Sequence, residues 1–275
     1  MSRIAMQAAV TMGQLQNKLD VIGNNMANVD TTGFKTRNAE FSSLLVQQIN
    51  NLSAPENAQG RLTPDGIRVG AGARMSNTTL DLKAGALKET GRALDLALLK
   101  GNHFFQIAVT ENGETETRYT RAGNFYLNPL GNDQVAIATA DGFPLLGADG
   151  PVVLADNMEA ISITSTGAIE VTRNGQTAVE GQLQVVEAVR PRLLEATGNN
   201  NFRLSEQSLQ AFDPGEIIPV ADEAEVQIKS GSLENSNVDV AKQMTDLVTT
   251  QRVYQLNARS ISMNDQMMGL INQLR

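Results

Sequence analysis

The chain has 275 residues, 41% of them hydrophobic, so it can bury a sizeable core in one large domain or two small ones. Its net charge of −8, without any basic stripe, excludes non-specific nucleic-acid binding, and nucleic acid is not expected as a partner. The absence of cysteine excludes disulfides, thiol catalysis and thiolate metal sites.

The N-terminal stretch predicts an amphipathic helix because its apolar residues recur at steps of three and four. This N-terminal stripe consists of Ala5, Ala8, Met12, Leu15, Leu19, Ile22, Met26 and Val29. Between Ile4 and Val29 only Lys18 and Asp20 are charged, whereas a helix with one face in water usually carries more charge. We therefore expect its second face to contact protein as well, in a crowded assembly. An ordinary pair of helices that closes one globular core is the alternative.

The next segment, residues 36–84, predicts an extended arm. Gly33 can adopt the left-handed conformation that ends a helix just before it. A short helix is predicted over Phe41–Ile49, and the rest is rich in Gly, Pro and Asn, which favour turns and extended chain. The predicted domains are a helical one from residues 1–35 and 231–275, this arm, and a central domain over residues 85–230.

The central domain is predicted to be antiparallel and all-β, because its apolar residues alternate along the chain. The alternating groups are Phe105-Ile107-Val109, Ile161-Ile163, Leu183-Val185 and Val226-Ile228. Hairpin turns are predicted at Asn112-Gly113, Asp141-Gly142, Asp149-Gly150 and Asn174-Gly175.

The last stretch, Ser236 to Leu274, predicts a helix about 55 Å long, with Ser236 and Asp239 as a capping pair. Its apolar residues follow a heptad stripe that is interrupted only by Gln251 and Asp265. This C-terminal stripe consists of Val240, Met244, Leu247, Tyr254, Ala258, Ile261 and Met268. The predicted fold class is α+β, in which the two terminal helices pack as a coiled-coil-like core.

Catalytic chemistry has little support in the sequence. His103 is the only histidine, and it lies at a predicted turn without a second catalytic candidate beside it. Gly70-Ala71-Gly72 lacks the strand, helix and Lys-Ser or Lys-Thr of a phosphate loop. The carboxylates Glu114 with Glu116, and Asp222, Glu223 and Glu225, are more typical of solvated loops than of hydrolysis or Ca²⁺ binding. We expect no enzyme, cofactor or metal site.

Three classes of function remain: a structural subunit that polymerises through its terminal helices, a glycan-binding surface module, and a cell-wall hydrolase. Apolar stripes at both ends of the chain favour the first class. A glycan-binding surface would call for exposed aromatic residues, and the chain has three tyrosines, eight phenylalanines and no tryptophan. Only the carboxylates would support a hydrolase.

Motifs at both ends of the chain resemble those of the flagellar rod and hook family, the axial proteins of the bacterial basal body. The residues that carry this resemblance at the two ends are Asn25, Ala27, Asn28, Thr32, Gly33, Phe34, Lys35, Glu234, Ser236, Asn237 and Arg252. In the middle, Thr90-Gly91, Phe104-Phe105 and the run from Thr120 to Phe125 resemble the outer-domain signature of the family. One departure is Asn102-His103, where the family pattern has Asp-Gly.

The resemblance implies a structural subunit of the flagellar basal-body rod, of the distal-rod type. Its terminal helices would polymerise helically into a hollow drive shaft that transmits torque to the hook. The implied partners are further copies of the chain, other rod and hook axial proteins, the flagellar export apparatus, and surrounding ring proteins or peptidoglycan. A proximal-rod or hook-like axial subunit is the alternative.

The N-terminus shows no basic segment followed by a short apolar run, and no apolar run reaches membrane-spanning length. We therefore expect the chain either to stay in the cytoplasm or to be exported without a cleaved signal peptide. With the family resemblance, the expected location is the extracytoplasmic basal body, reached through the flagellar type III pathway.

Overall fold

The computed structural model describes residues 3–43, 47–49, 67–69, 73–111 and 113–273. The chain divides into two compact units. The helical unit comprises Met1–Met26, Arg37–Thr79 and Val240–Arg275, and the β unit comprises Ala27–Thr36 and Leu80–Asp239. Helix accounts for 29% and strand for 40% of the described residues, in agreement with the predicted α+β class.

Over the described residues the α-helices are α1 (Arg3–Ala27), α2 (Glu206–Ala211), α3 (Pro214–Ile217) and α4 (Val240–Gln273). The strands are β1 (Arg37–Ser43), β2 (Gln47–Ile49), β3 (Ile67–Val69), β4 (Ala73–Leu80), β5 (Leu87–Glu89), β6 (Leu96–Leu98), β7 (His103–Glu111), β8 (Glu114–Thr120), β9 (Tyr126–Gly131), β10 (Gln134–Ala138), β11 (Leu146–Gly147), β12 (Gly150–Pro151), β13 (Val153–Ala155), β14 (Ala160–Ile163), β15 (Ala168–Arg173), β16 (Gln176–Gln182), β17 (Val185–Glu187), β18 (Leu194–Gly198), β19 (Asn201–Leu204), β20 (Ile228–Ser230) and β21 (Ser232–Glu234).

The helical unit contains both terminal helices, which the apolar periodicity predicted. Helix α4 starts at Val240, four residues later than predicted. The hydroxyl of Ser236 accepts a hydrogen bond from the Val238 N–H (3.3 Å), so Ser236 stabilises the segment before the helix. Two side-chain hydrogen bonds, Asn25–Gln243 and Gln16–Tyr254, link α1 to α4 in an antiparallel sense.

The helix predicted over Phe41–Ile49 is wrong. Residues 41–43 of this stretch belong to β1 and Gln47–Ile49 form β2, while residues 44–46 lie outside the described part. A nine-residue segment cannot sustain a helix by itself. Here β1 pairs with β4, and β2 pairs antiparallel with β3, so neighbouring strands satisfy the backbone instead.

The β unit contains the antiparallel strands that the alternating pattern predicted. Its largest sheet has the order β17-β7-β8-β19-β18. Smaller sheets are β13-β10-β9, β14-β15-β16, β11-β12, β20-β6 and β21-β5. Within the described residues every pairing of these strands is antiparallel.

Strand β7 separates two apolar clusters of the β unit, because successive side chains of a strand point to opposite faces. Phe105 belongs to the larger cluster and stacks edge-to-face on Phe125, with ring centroids 5.2 Å apart. Phe104 points the other way and meets Phe202 at 5.7 Å, in the smaller cluster that α3 covers with Ile217. The adjacent phenylalanines thus anchor both faces of the sheet.

Only some of the hairpin turns in the structure were predicted from the sequence. Asn174-Gly175 forms the β15–β16 hairpin turn, with φ of 50° and 75° as a type I′ turn requires. Asn112 lies outside the described residues. Two further hairpins turn at Asn132-Asp133 and Asn199-Asn200, which the sequence pattern did not predict. In both turns asparagine or aspartate adopts positive φ without glycine at the second position.

Candidate functional site

Five of the eleven motif residues near the two ends of the chain, Gly33, Phe34, Lys35, Glu234 and Asn237, meet inside the β unit. We call Lys35, Arg121, Glu234 and Asn237 the buried junction. It ties together the three segments 33–36, 81–85 and 232–237, each of which continues along the sequence into the helical unit. The sequence brings them within reach because β21, which ends at Glu234, pairs antiparallel with β5.

Glu234 is the centre of the buried junction. One carboxylate oxygen accepts hydrogen bonds from Lys35 Nζ (2.8 Å) and from the Gly85 N–H (2.8 Å). The other oxygen accepts from Arg121 through Nε (3.0 Å) and Nη2. Since the side chains of Lys35 and Arg121 are fully buried and that of Glu234 is 2% exposed, these are ion pairs shielded from water.

The two cations share one carboxylate, so backbone carbonyls complete their hydrogen bonding. Lys35 Nζ donates to the Lys83 C=O (2.7 Å). Arg121 donates to the carbonyls of Leu98, Lys100 and His103. Burial, followed by repulsion from Arg121, lowers the pKa of Lys35 to about 8. Burial also lowers the pKa of Arg121.

Asn237 links the same segments through its amide. Its Oδ1 accepts from both the N–H and the hydroxyl of Thr36, each at 2.7 Å. Its Nδ2 donates to the carbonyls of Asp81 (2.8 Å) and Lys83 (3.0 Å). An asparagine whose four hydrogen bonds all reach other segments acts as a cross-brace and has no free group for a ligand.

Gly33 has a steric reason to be glycine. Its φ is +68°, and its N–H donates to the Glu234 C=O at 2.7 Å. A Cβ at this position would lie 2.5 Å from the backbone carbonyl of Arg121. Phe34, next along the chain, is buried. Gly33 thus has the predicted left-handed conformation, but it does not end the helix, because α1 already ends at Ala27. Its turn brings Lys35 to Glu234.

The remaining motif residues of the β unit and of α4 make few contacts. The Asn28 side chain accepts a hydrogen bond from the Thr31 hydroxyl (3.1 Å), and the Thr32 C=O accepts one from Asn200 Nδ2 (2.9 Å). Ala27 and Arg252 are exposed. They are thus free to contact another molecule.

Asn25 lies in the helical unit, at the end of α1. Its amide exchanges two hydrogen bonds with the backbone of Arg37: Nδ2 donates to the C=O (2.8 Å), and Oδ1 accepts from the N–H (3.0 Å). Nδ2 also donates to Gln243 Oε1 of α4 (3.3 Å). Gln14, eleven residues or about three turns before Asn25 on α1, accepts from the Met75 N–H of β4 (2.8 Å).

The stripe residues differ in burial within the single chain. Ala8, Leu15 and Ile22 are buried; Met12, Leu19, Met26, Leu247, Tyr254, Ala258 and Ile261 are partly buried; Val240, Met244 and Met268 are exposed. Val29 is partly buried but lies beyond the end of α1, in the β unit. The inward face of α4 carries polar residues that the stripe did not include: Gln243, Thr250 and Asn264 are buried. Their spacing of seven and fourteen residues keeps them on one face.

Helix α4 has a second apolar face that is open in the single chain. We call it the outer apolar surface. It consists of Met244, Val248, Leu256, Met263, Met267 and Leu270, each at least 44% exposed. Val240, Val253, Met268 and Ile271 are also exposed but lie towards other sides of the helix. Exposed apolar surfaces of this size are typical of interaction sites.

The catalytic candidates do not assemble into a site. His103 is buried alone in the β unit, and the Glu116 and Glu225 carboxylates form surface ion pairs with Arg118 and Lys100. Gly70-Ala71-Gly72 lies outside the described residues. In the described part of the chain no cluster of three or more His, Asp or Glu side chains could hold a metal ion. None of the described helices has the length and apolarity to cross a membrane.

The turn at Asn102-His103 keeps its tight geometry despite its departure from the family pattern. The His103 N–H donates to the Lys100 C=O, and the Asn102 C=O accepts from the Ala188 N–H at 2.7 Å. Gly101 allows the turn to pack closely against the backbone of Leu82, because a Cβ at position 101 would lie 2.1 Å from the Leu82 C=O.

Comparison with known proteins gives the same assignment at both ends and in the middle of the chain. Three family models match: "Flagella basal body rod protein" over residues 6–35, "Flagellar hook protein FlgE/F/G D1 domain" over 98–171, and "Flagellar basal body rod FlgEFG protein C-terminal" over 229–274.

Full-length relatives agree. The chain is 37% identical to the flagellar hook-basal body complex protein FlhP of Bacillus subtilis, with 100% of both chains covered. It is 35% identical to the flagellar basal-body rod protein FlgG of Caulobacter vibrioides, with 98% of this chain and 97% of the relative covered. It is 33% identical to FlgG of Bacillus subtilis, with 96% of each covered. The chain therefore belongs to the flagellar basal-body rod protein family, and it is a structural, non-enzymatic part of the flagellum that assembles with other axial proteins.

Proposed function

We propose that the chain is a subunit of the distal-rod type, which polymerises helically through α1 and α4 into a hollow shaft that transmits torque to the hook. The observation that carries this proposal is the outer apolar surface of α4. One face of this helix meets α1 within the chain through Gln243 and Tyr254, and the opposite face exposes Leu256, Met263 and Leu270. Further copies of the chain and related axial subunits would cover that face.

The interface of such a shaft is head-to-tail and does not close into a ring, because a closed ring would end growth after one turn. The N-terminal and C-terminal stripes would form the inner wall as a coiled-coil-like core. Met244 and Met268 belong to the predicted C-terminal stripe and are exposed in the single chain. They would become buried between subunits.

The arm, residues 36–84, would brace neighbouring subunits along the shaft. Residues 50–66 lie outside the described part of the chain, so the support comes from the composition of the segment and from the exposed strands that flank it. Every residue of β4 is exposed or partly buried. A shaft held only by helix stripes could slide by a heptad, and a contact far from the axis would resist this. Deleting Leu52–Gly66 should then give curved or flexible tubes.

The proposed location is the extracytoplasmic basal body, with export through the flagellar export apparatus and no cleaved signal peptide. Ring proteins and peptidoglycan are the further partners that this location implies. The β unit would form the outer surface of the shaft and face them.

A proximal-rod or hook-like axial subunit is the second candidate. The observation that favours it is the full-length similarity to a relative whose name assigns it to the hook-basal body complex more broadly. A glycan-binding module has weaker support, because few aromatic side chains of the β unit are exposed.

Electron microscopy of the purified chain at high concentration tests the proposal. Wild-type protein should form tubes, whereas Leu256→Asp with Met263→Asp should not, since a carboxylate buried between subunits lacks a partner. Val179→Asp is the matched control, because Val179 is an equally exposed apolar residue of the β unit. Tubes from the double variant, or a wild-type chain that stays monomeric at every concentration, would contradict the proposal.

A further inference from the structure

We propose that Gln243 sets the register of α4 on α1, because its side-chain oxygen is the acceptor that a pre-oriented Asn25 amide requires. This inference concerns pairing within one subunit and does not depend on the polymer. Both residues are closed to solvent: Asn25 is 1% exposed and Gln243 is 4% exposed.

The Asn25 amide has only one orientation in this place. The Arg37 N–H can only donate, so it must meet Oδ1, and the Arg37 C=O can only accept, so it must meet Nδ2. Rotating the amide by 180° would break both bonds. The second N–H of Nδ2 is thereby aimed at a fixed point, where Gln243 Oε1 lies at 3.3 Å.

Two of the nearest positions on the same side of α4, Val240 three residues before Gln243 and Leu247 four residues after it, have no side-chain acceptor. A slip that brings either of them to Asn25 would leave a buried N–H without a partner, which is strongly disfavoured. Asp246, three residues after Gln243, has an acceptor, but its side chain is one methylene shorter, and the longer Gln243 already reaches Asn25 only at 3.3 Å. Apolar contacts alone discriminate poorly between such slips, since the stripe repeats along the helix.

The second hydrogen bond between the helices shows that they run antiparallel and which residues lie opposite each other. Gln16 lies nine residues before Asn25 on α1, and its Nε2 donates to the hydroxyl of Tyr254, eleven residues after Gln243 on α4 (3.3 Å). This contact is exposed, and a long glutamine side chain can reach more than one level of α4. It supports this register, but it distinguishes the register from slipped ones less sharply than the buried Asn25–Gln243 hydrogen bond does.

Distances between spin labels in the full chain test the proposal. The chain has no cysteine, so labels can be placed through Asn17→Cys combined with either Thr245→Cys or Arg259→Cys, all exposed sites. Thr245 and Arg259 lie on opposite sides of the level of Asn17. A slip of α4 by one turn, about 5 Å, therefore lengthens one distance and shortens the other.

In the wild-type background each label pair should give one distance. Gln243→Met keeps the length of the side chain but removes the acceptor. It should raise the slipped population at least about tenfold, with the two distances shifting in opposite directions. Gln243→Glu retains an acceptor oxygen and should restore the wild-type distances. Gln251→Met, the same change on an exposed face of α4, should have no effect.

Three outcomes would overturn the proposal. Unchanged distances in Gln243→Met would mean that the amide pair does not select the register. Broad distance distributions, typical of separated helices, would mean that Gln243 holds α1 and α4 together without selecting their register. Slipped distances in Gln243→Glu equal to those in Gln243→Met would mean that the acceptor oxygen is not the decisive feature.

Discussion

Lys35 and Glu234 are 199 positions apart in the sequence, yet they form an ion pair of 2.8 Å that is closed to solvent. Arg121 binds the other oxygen of the same carboxylate, so the buried junction holds two positive charges and one negative charge. Of the two cations, Lys35 is the one that can lose its proton in an accessible pH range. Its titration should therefore affect the stability of the β unit.

We expect the β unit to become more stable as the pH rises above 8. The pKa of Lys35 is about 8 in the folded chain and 10.5 as its ordinary value. Between these values the unfolded chain binds more protons, so the free energy of unfolding increases with pH, by about 3 kcal/mol over the full interval. Urea denaturation at pH 7.5, 8.5 and 9.5 measures this slope.

Lys35→Met should remove that slope, because Glu234 keeps Arg121 as its partner and the titrating group is gone. Lys88→Met is the matched control, since Lys88 is an exposed lysine of the same unit. A slope that persists in Lys35→Met would mean that another group is responsible.

Acid should destabilise the β unit through His103, the only histidine of the chain. This side chain is fully buried, and neither ring nitrogen has a hydrogen-bond partner among the described residues. Burial, followed by repulsion from Lys100, lowers the pKa of His103. Below pH 6.5 the unfolded chain therefore binds more protons, and stability falls as the pH falls.

The loss between pH 6.5 and 5 can reach about 2 kcal/mol for one group. Thermal melting at pH 7.5 and pH 5 measures it. His103→Leu should melt at a similar temperature to wild type at pH 7.5 and at a higher one at pH 5. Equal acid sensitivity of the two proteins would assign the effect to the carboxylates.

The strands and long helices could be predicted because their signal is local. Phe105, Ile107 and Val109 alternate along the sequence because they point to the same face of β7, and all three are fully buried. The stretch around Phe41 failed because its structure depends on pairing with β4, which is distant in sequence. Local propensity does not reveal such pairing.

The buried junction was predicted only in part. Resemblance singled out Gly33, Lys35, Glu234 and Asn237, but neither spacing nor charge indicated that they meet Arg121. Gln243 was missed because a polar residue on a helix predicts a solvent-facing position. The stripe accordingly included Met244, which is 47% exposed, in its place. A buried amide is recognisable only once its partner, here Asn25, is located.

Gly33→Ala should be more destabilising than Gly91→Ala. Both glycines have positive φ, +68° and +72°, so each alanine carries a backbone cost of about 1–2 kcal/mol. Only at Gly33 would the added Cβ also meet backbone, at 2.5 Å from the Arg121 carbonyl; Gly91 has open space. We expect a total of about 3 kcal/mol or more for Gly33→Ala.

Chemical denaturation of the two variants isolates the steric part of this cost. Gly23→Ala provides a third reference, because Gly23 lies within α1 with open space around it. That change should be neutral or stabilise by up to about 1 kcal/mol. Similar losses for Gly33→Ala and Gly91→Ala would show that the contact with Arg121 relaxes freely.

Leu247→Asp and Met244→Asp should separate the two faces of α4. Leu247 is partly buried on the side of Gln243, so a carboxylate there loses solvation within the single chain, at a cost of several kcal/mol. Circular dichroism of the dilute full-length chain should show less helix for Leu247→Asp. Met244→Asp should leave the helix content unchanged, because that side chain is already exposed.

Assembly should fail in both variants, for different reasons. In Leu247→Asp the helix pair itself is weakened, whereas in Met244→Asp a folded subunit presents an unpaired carboxylate to its neighbour, and the cost recurs at every subunit of the polymer. Swimming of a strain that carries each variant in place of the wild-type chain, together with micrographs of its basal bodies, measures this. Normal motility with Met244→Asp would remove Met244 from the subunit interface. Loss of helix in dilute Met244→Asp would instead mean that this face of α4 is already covered within the chain, and the outer apolar surface could then no longer explain why the subunits polymerise.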